Sequence, residues 1–205
     1  MPPPAPRIRL FHSWATLLFA AAALAIFALP QLSDTLLYRR AEIASGQLWR
    51  LWTGHLVHFG WQHLAGDLAV FLGAGLWLEA LAPRTTRWLL LLAPAAISAL
   101  LFVADPALTF YGGLSGVAVG VLVLLAFVQL HHDRTSPRWF WPAVLALVAL
   151  KVGAEAVSDS PLVATFGRDI KVSTLAHLGG IACALLAWPF ARSTPRTFPP
   201  KGGPR

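Results

Sequence analysis

Along this chain, long runs of apolar residues alternate with short polar breaks. A helix that crosses a bilayer needs about 20 mainly apolar residues, or about 17 where its ends are buried in protein. Six stretches meet that requirement, from Trp14 to Leu29, His63 to Leu81, Trp88 to Val103, Gly112 to Leu130, Trp139 to Val157 and Ser173 to Phe190. Each of the first five is closed by a breaker: Pro30, Pro83, Asp105-Pro106, the polar run from His131 to Pro137, and Asp159 to Pro161. The pattern predicts an all-α integral membrane protein, a bundle of six transmembrane helices over 14–190, between a tail at 1–13 and a basic, Pro-rich tail at 191–205. The segment 31–62 is out of scale with the other connections. Connections longer than about 15 residues usually carry function. This one mixes Trp49, Trp52, Phe59 and Trp61 with Arg39, Arg40 and Arg50, so it is expected to lie in the outer interface as short amphipathic helices.

Composition agrees with a membrane protein and excludes other classes. Of the 205 residues, 57% are hydrophobic and 12% charged, whereas a soluble domain carries about 25% charge. Such a chain is too apolar to be disordered, and its single Cys183 excludes both a disulfide scaffold and a Cys-based zinc site. The formal charge of +7 could indicate nucleic acid, but the bases are scattered between apolar runs rather than gathered on a patch.

The placement of those bases gives an orientation. With the N-terminus inside, the inner segments hold Arg7, Arg9, Arg84, Arg87, Arg134, Arg138, Arg192, Arg196, Lys201 and Arg205, ten of the 16 bases. The outer segments hold Arg39, Arg40, Arg50, Arg168 and Lys171, and Lys151 falls within the fifth span. The positive-inside rule then places both termini in the cytoplasm. Trp14, Trp77, Trp88, Trp139, Trp141 and Trp188 would all lie at inner helix ends, where an indole suits the headgroup boundary. A secretory signal is the competing reading of the first run, but that run is long for one and lacks a small-x-small cleavage site.

Polar side chains inside a span are costly and mark function by default. His63, Asp67, Ser115 and His177 come from three different spans and fall at the outer half of each. Ser115 follows Gly112-Gly113-Leu114, and Gly116 and Gly120 continue a small-residue stripe. Taken alone, Ser115 is a helix-packing residue; at a helix start behind two glycines it also stands beside free N–H groups suited to developing negative charge. His177 precedes Gly180, Ala184 and Ala187 on nearly one face. Two such smooth stripes can pack backbone to backbone, bringing the serine hydroxyl to an imidazole able to act as its base. A structural hydrogen-bonder and a haem ligand are the alternatives for His177. His63 and Asp67 are four apart and share a helix face. His63 could donate to an oxyanion; Asp67 could do so only when protonated, and a polar helix contact or a partner for His63 is its bland alternative. His55, His58 and His63 invite a metal, but their spacing lacks the His-Glu-x-x-His pattern and no carboxylate cluster accompanies them.

Together these residues resemble the rhomboid family of intramembrane serine proteases. The resemblance covers approximately Trp14 to Phe190 and rests on Trp49-Arg50, His58, His63, position 67, Gly113-Leu114-Ser115-Gly116, and His177 followed by Gly180. It implies a dyad of Ser115 as nucleophile and His177 as general base. An oxyanion hole would come from the Ser115 N–H, His63 and position 67, and no cofactor or metal is implied. Most relatives carry asparagine at position 67, so Asp67 departs from the family. The family's frequent tyrosine four residues after the serine is Val119 here, so the histidine must be oriented by other packing. The run from Trp49 to His58 leading to Trp61-Gln62-His63-Leu64 looks like the rhombosortase branch. That implies a bacterial inner-membrane enzyme whose partners are exported proteins anchored by a C-terminal Gly-Gly motif, an apolar helix and a basic end. A relative without activity that binds transmembrane helices, and a haem protein ligated by His63 and His177, are the rival readings.

Overall fold

A computed structural model of the chain describes residues 13–132, 136–157 and 173–193. The residues expected to form the tails, apart from Ser13, Ala191, Arg192 and Ser193, lie outside the described residues, as do Arg134, Arg168 and Lys171. In order, the elements are α1 (Trp14–Ala28), α2 (Ser33–Leu36), β1 (Tyr38–Arg39), α3 (Arg40–Ala44), α4 (Arg50–Thr53), α5 (Trp61–Leu81), α6 (Pro83–Ala104), β2 (Phe110–Tyr111), α7 (Ser115–His132), α8 (Phe140–Val157) and α9 (Thr174–Arg192), with short 3-10 turns at Pro30–Leu32 and Gly54–Leu56.

Five helices, α5 to α9, are long and apolar enough to cross a membrane. The first expected span is different. Helix α1 has only 15 residues and reaches the required length only together with Pro30–Leu36, which turns away from it by 100°. Two helix starts differ from the sequence reading by more than two residues. Helix α6 begins at Pro83 rather than Trp88, since a proline at the first helical position has its φ already set and lacks only an N–H that would have no partner there. Helix α7 begins at Ser115 rather than Gly112, because Gly113 takes φ +127°, outside helical geometry.

Helix α7 is the axis of the bundle, with two thirds of its apolar stretch buried, whereas α8 is the most peripheral span at 17%. The contact of α7 with α9 is made by backbone. A Cβ on Gly116 would stand 2.8 Å from the Ala176 carbonyl oxygen, and one on Gly120 would stand 2.7 Å from that of Gly180. A Cβ on Gly180 would likewise meet the Gly116 carbonyl, so backbone faces backbone along this contact.

At the end of the bundle where α1 begins, Glu79 is fully buried. Its carboxylate accepts the Ala15 N–H at 3.3 Å, the Thr16 N–H at 2.9 Å and the Thr16 hydroxyl at 2.9 Å, and pairs with Arg87 Nε at 3.0 Å. Helix α1 is thus capped by a side chain from α5, which satisfies N–H groups that a helix start leaves without partners.

The long segment at 31–62 folds around Arg50. This buried guanidinium donates to the carbonyls of Asp34 at 2.8 Å and Leu37 at 2.6 Å and to Gln47 Oε1 at 2.9 Å. Trp49 Nε1 donates to the Thr35 carbonyl at 3.2 Å, so Trp49-Arg50 organises the segment rather than facing the site. The segment is tied to the bundle at two places. Tyr38 and Arg39 pair antiparallel with Tyr111 and Phe110, a small strand contact among described residues whose other elements are helical. Arg40 donates to the Phe102 carbonyl at 2.6 Å and the Asp105 carbonyl at 3.2 Å, a cation at the carbonyl end of α6.

Candidate active site

The first residue of α7 is Ser115, and its Oγ lies 3.1 Å from His177 Nε2 on α9. His177 is fully buried in the first turns of α9, whose start is capped by the Ser173 hydroxyl accepting the Ala176 N–H at 3.3 Å. Close approach of the two helices at Gly116 and Gly180 makes this distance possible, because any side chain there would push α7 and α9 apart.

On its other side, His177 Nδ1 faces Glu155 Oε2 of α8 at 2.8 Å. The resemblance implied a dyad; here a carboxylate stands behind the imidazole. The second oxygen of Glu155 faces Lys151 Nζ at 2.5 Å, one helical turn earlier. Both ring nitrogens of His177 therefore face a hydrogen-bonding partner, Ser115 on one side and Glu155 on the other. Val119, four residues after Ser115, supplies no ring to stack on the imidazole, and the group that Nδ1 faces is the Glu155 carboxylate.

Ahead of Ser115 the backbone turns sharply. Gly113 adopts a conformation that L side chains rarely take, and a Cβ there would lie 2.6 Å from His63 Nε2. The Tyr111 hydroxyl donates to the Gly113 carbonyl at 3.1 Å, and burial pushes that phenol above its ordinary range, so it stays a donor. Three groups converge on Asp67 Oδ2: the Leu114 N–H at 2.8 Å, His58 Nε2 at 3.1 Å and His63 Nε2 at 3.3 Å. Asp67 is therefore an acceptor that anchors the turn before the serine. Helix α7 then starts with N–H groups that have no carbonyl one turn back, next to His63.

His58, His63 and Asp67 also form a set whose ligand atoms lie within 4.8 Å of one another. Their mutual hydrogen bonds account for that closeness. His55 does not join them: it is fully buried, with Nε2 3.0 Å from both the Pro94 carbonyl and the Ser98 hydroxyl. Burial brings its pKa down to about 4, which keeps the ring neutral.

Of the residues singled out from sequence, Ser115, His177, His63, Asp67, Gly113 and Gly116 meet at one place, and His58 borders it. Gly120 and Gly180 hold the helices together, while Trp49 and Arg50 act at a distance through the outer segment. Glu155 was not singled out. Its only sequence signal was its spacing of four from Lys151, inside a run apolar enough to span a bilayer.

Comparison with known families finds a match over most of the chain. The model of the family described as Rhomboid domain matches residues 45–193. The chain belongs to the rhomboid family. Members of this family are generally intramembrane serine proteases, and this one, with its several long apolar helices, is a multi-pass membrane protein. No curated protein matches the chain.

Proposed function

We propose that this rhomboid is an active intramembrane serine endopeptidase, with Ser115 as nucleophile and His177 as general base. The observation that carries the proposal is the 3.1 Å approach of Ser115 Oγ to His177 Nε2 at the start of α7. A serine needs an adjacent base to attack at neutral pH, and a binding module needs neither group.

A substrate helix enters from the bilayer and unwinds, because a helical peptide bond keeps its carbonyl in the helix's own hydrogen bonds. Ser115 attacks that carbonyl carbon, and its proton passes to His177 Nε2. The tetrahedral oxyanion is held by the Ser115 N–H and by His63, whose Nε2–H is shared between the oxyanion and Asp67 Oδ2. Collapse of the intermediate breaks the C–N bond, and His177 returns the proton to the leaving amine. Water then attacks the acyl-enzyme with His177 again as base. Asp67 holds Leu114 and the two histidines in place; it does not donate to the oxyanion.

The substrates are transmembrane segments of exported proteins, in the manner of rhombosortases: a C-terminal Gly-Gly motif, an apolar helix and a basic end. The outer run from Trp49 to Leu64 supports this branch. The bent α1 unit acts as a sixth span, giving cytoplasmic termini and an outward-facing site in a bacterial inner membrane.

A fluorophosphonate serine probe, applied to the purified chain in detergent, tests the assignment. Wild type is expected to label, Ser115→Ala to lose labelling and His177→Ala to retain only a small fraction. Equal labelling of the three proteins rejects the serine–histidine mechanism. Cleavage of a reporter ending in Gly-Gly, apolar helix and basic tail, with a Leu-Leu version left intact, tests the branch.

A further inference from the structure

We propose that Glu155 is a positioning residue for this reaction, so that the working unit is Lys151–Glu155–His177–Ser115 rather than a serine–histidine pair. The inference rests on the protease reading and adds to it the group that selects the tautomer of the base.

An ionised carboxylate only accepts hydrogen bonds. With Glu155 Oε2 at 2.8 Å, the proton of His177 belongs on Nδ1, which leaves the lone pair of Nε2 facing the Ser115 hydroxyl. The opposite tautomer would put a hydrogen on Nε2 and could not take the serine proton. During attack, that proton moves from Ser115 Oγ to Nε2 while Nδ1–H stays on the ring, and Glu155 offsets the positive charge that develops there.

The rest of the local structure favours this role over a purely structural one. A carboxylate in a span is costly, and the Glu155 side chain is 4% exposed. Lys151 precedes Glu155 by four residues, the less favourable order for a pair within one helix, so the pair is poorly explained as helix support. Its effect is to give each carboxylate oxygen one partner: Oε1 meets Lys151 and Oε2 meets His177. The lysine offsets the cost of burying the charge and fixes the rotamer that reaches His177. Val119 leaves the imidazole without a stacking ring, so no aromatic at that position duplicates the work of Glu155.

The full-length protein in detergent tests this in two ways. The first is the kinetics of fluorophosphonate labelling, in which the Ser115 O–P bond forms, the P–F bond breaks, fluoride leaves and the serine proton passes to His177. Glu155→Gln is expected to lower the limiting labelling rate by on the order of 10²-fold or more while leaving the probe's half-saturating concentration unchanged. Glu155→Asp is expected to recover part of that loss, and Lys151→Met to cost less than Glu155→Gln. A limiting rate for Glu155→Gln within about twofold of wild type overturns the proposal. The second is the ¹⁵N spectrum of His177 in the wild-type protein at neutral pH, which does not depend on any variant folding. A proton on Nδ1 is expected; a proton on Nε2 alone overturns the proposal. Absence of labelling in wild type together with an Nδ1-protonated His177 would reject the protease reading while leaving the orienting role of Glu155 intact.

Discussion

Asp67 Oδ2 accepts the Leu114 N–H at 2.8 Å, immediately before the residue whose hydroxyl meets His177. The contact runs from α5 to the turn that starts α7, so a side chain four residues beyond His63 fixes where the serine begins its helix.

That contact predicts an asymmetric response at position 67. Asp67→Asn keeps an oxygen for the Leu114 N–H and is expected to label with a fluorophosphonate probe within about tenfold of wild type. Asp67→Leu leaves a buried N–H without its acceptor, at a cost of about 1–3 kcal/mol. It is expected to lose most labelling and to lower the unfolding temperature in detergent. Equal behaviour of the two variants would contradict the anchoring role.

The α7–α9 contact predicts that glycines in spans are not equivalent. Gly120→Ala would bring a methyl to 2.7 Å from the Gly180 carbonyl oxygen. Overpacking of this kind typically costs about 1–3 kcal/mol, and the separation it forces would lengthen the distance between Ser115 and His177. Gly73→Ala on α5 meets nothing within 4 Å and is expected to be tolerated. Thermal stability and probe labelling of the two variants form the comparison.

Arg50 predicts an effect at long range. Loss of its three hydrogen bonds in Arg50→Ala leaves the Asp34 and Leu37 carbonyls without this donor. A destabilisation of about 2–4 kcal/mol is expected, and Arg50→Lys recovers little, because an ammonium cannot reproduce the planar fork. Limited proteolysis should show new cutting within 33–60 in both variants.

His55 gives the stability a pH dependence. Its pKa falls from 6.5 to about 4 on folding because burial penalises the charged ring. Between those values an unfolded chain takes up a proton that the folded chain refuses, so stability is full above about pH 6.5 and declines as pH falls toward 4. By linkage the loss is on the order of 3 kcal/mol at the acid end. His55→Gln, which can still donate to the Pro94 carbonyl, is expected to flatten the decline in unfolding temperature between pH 6.5 and pH 4. An unchanged slope would assign it to other groups.

The sequence made the long apolar helices, the glycine stripes and the meeting of Ser115 with His177 legible, because each depends on periodicity along one helix or on residues whose chemistry is rare in a membrane. Contacts across elements were not legible. Glu155 and Lys151 read as one helical pair, and nothing in their spacing says that the carboxylate turns to α9. Glu79 lies at the end of an apolar run and gives no sign that its partners are the first N–H groups of α1. The role of Asp67 was open because its donor, the Leu114 backbone, has no side-chain signature. Hydropathy reads the run from Trp14 to Leu29 as a span by itself, whereas α1 reaches spanning length only with Pro30–Leu36, beyond a 100° bend that a hydropathy pattern does not contain.

The pairing of Tyr38 and Arg39 with Tyr111 and Phe110 bears on how rhomboid chains can be recombined. An outer segment joined by strand hydrogen bonds to the residues just before Ser115, and by Arg40 to the end of α6, is not a portable module. A chimera that exchanges 31–62 alone would sever a shared joint. One that carries 105–114 along with it transplants both halves of the strand pair.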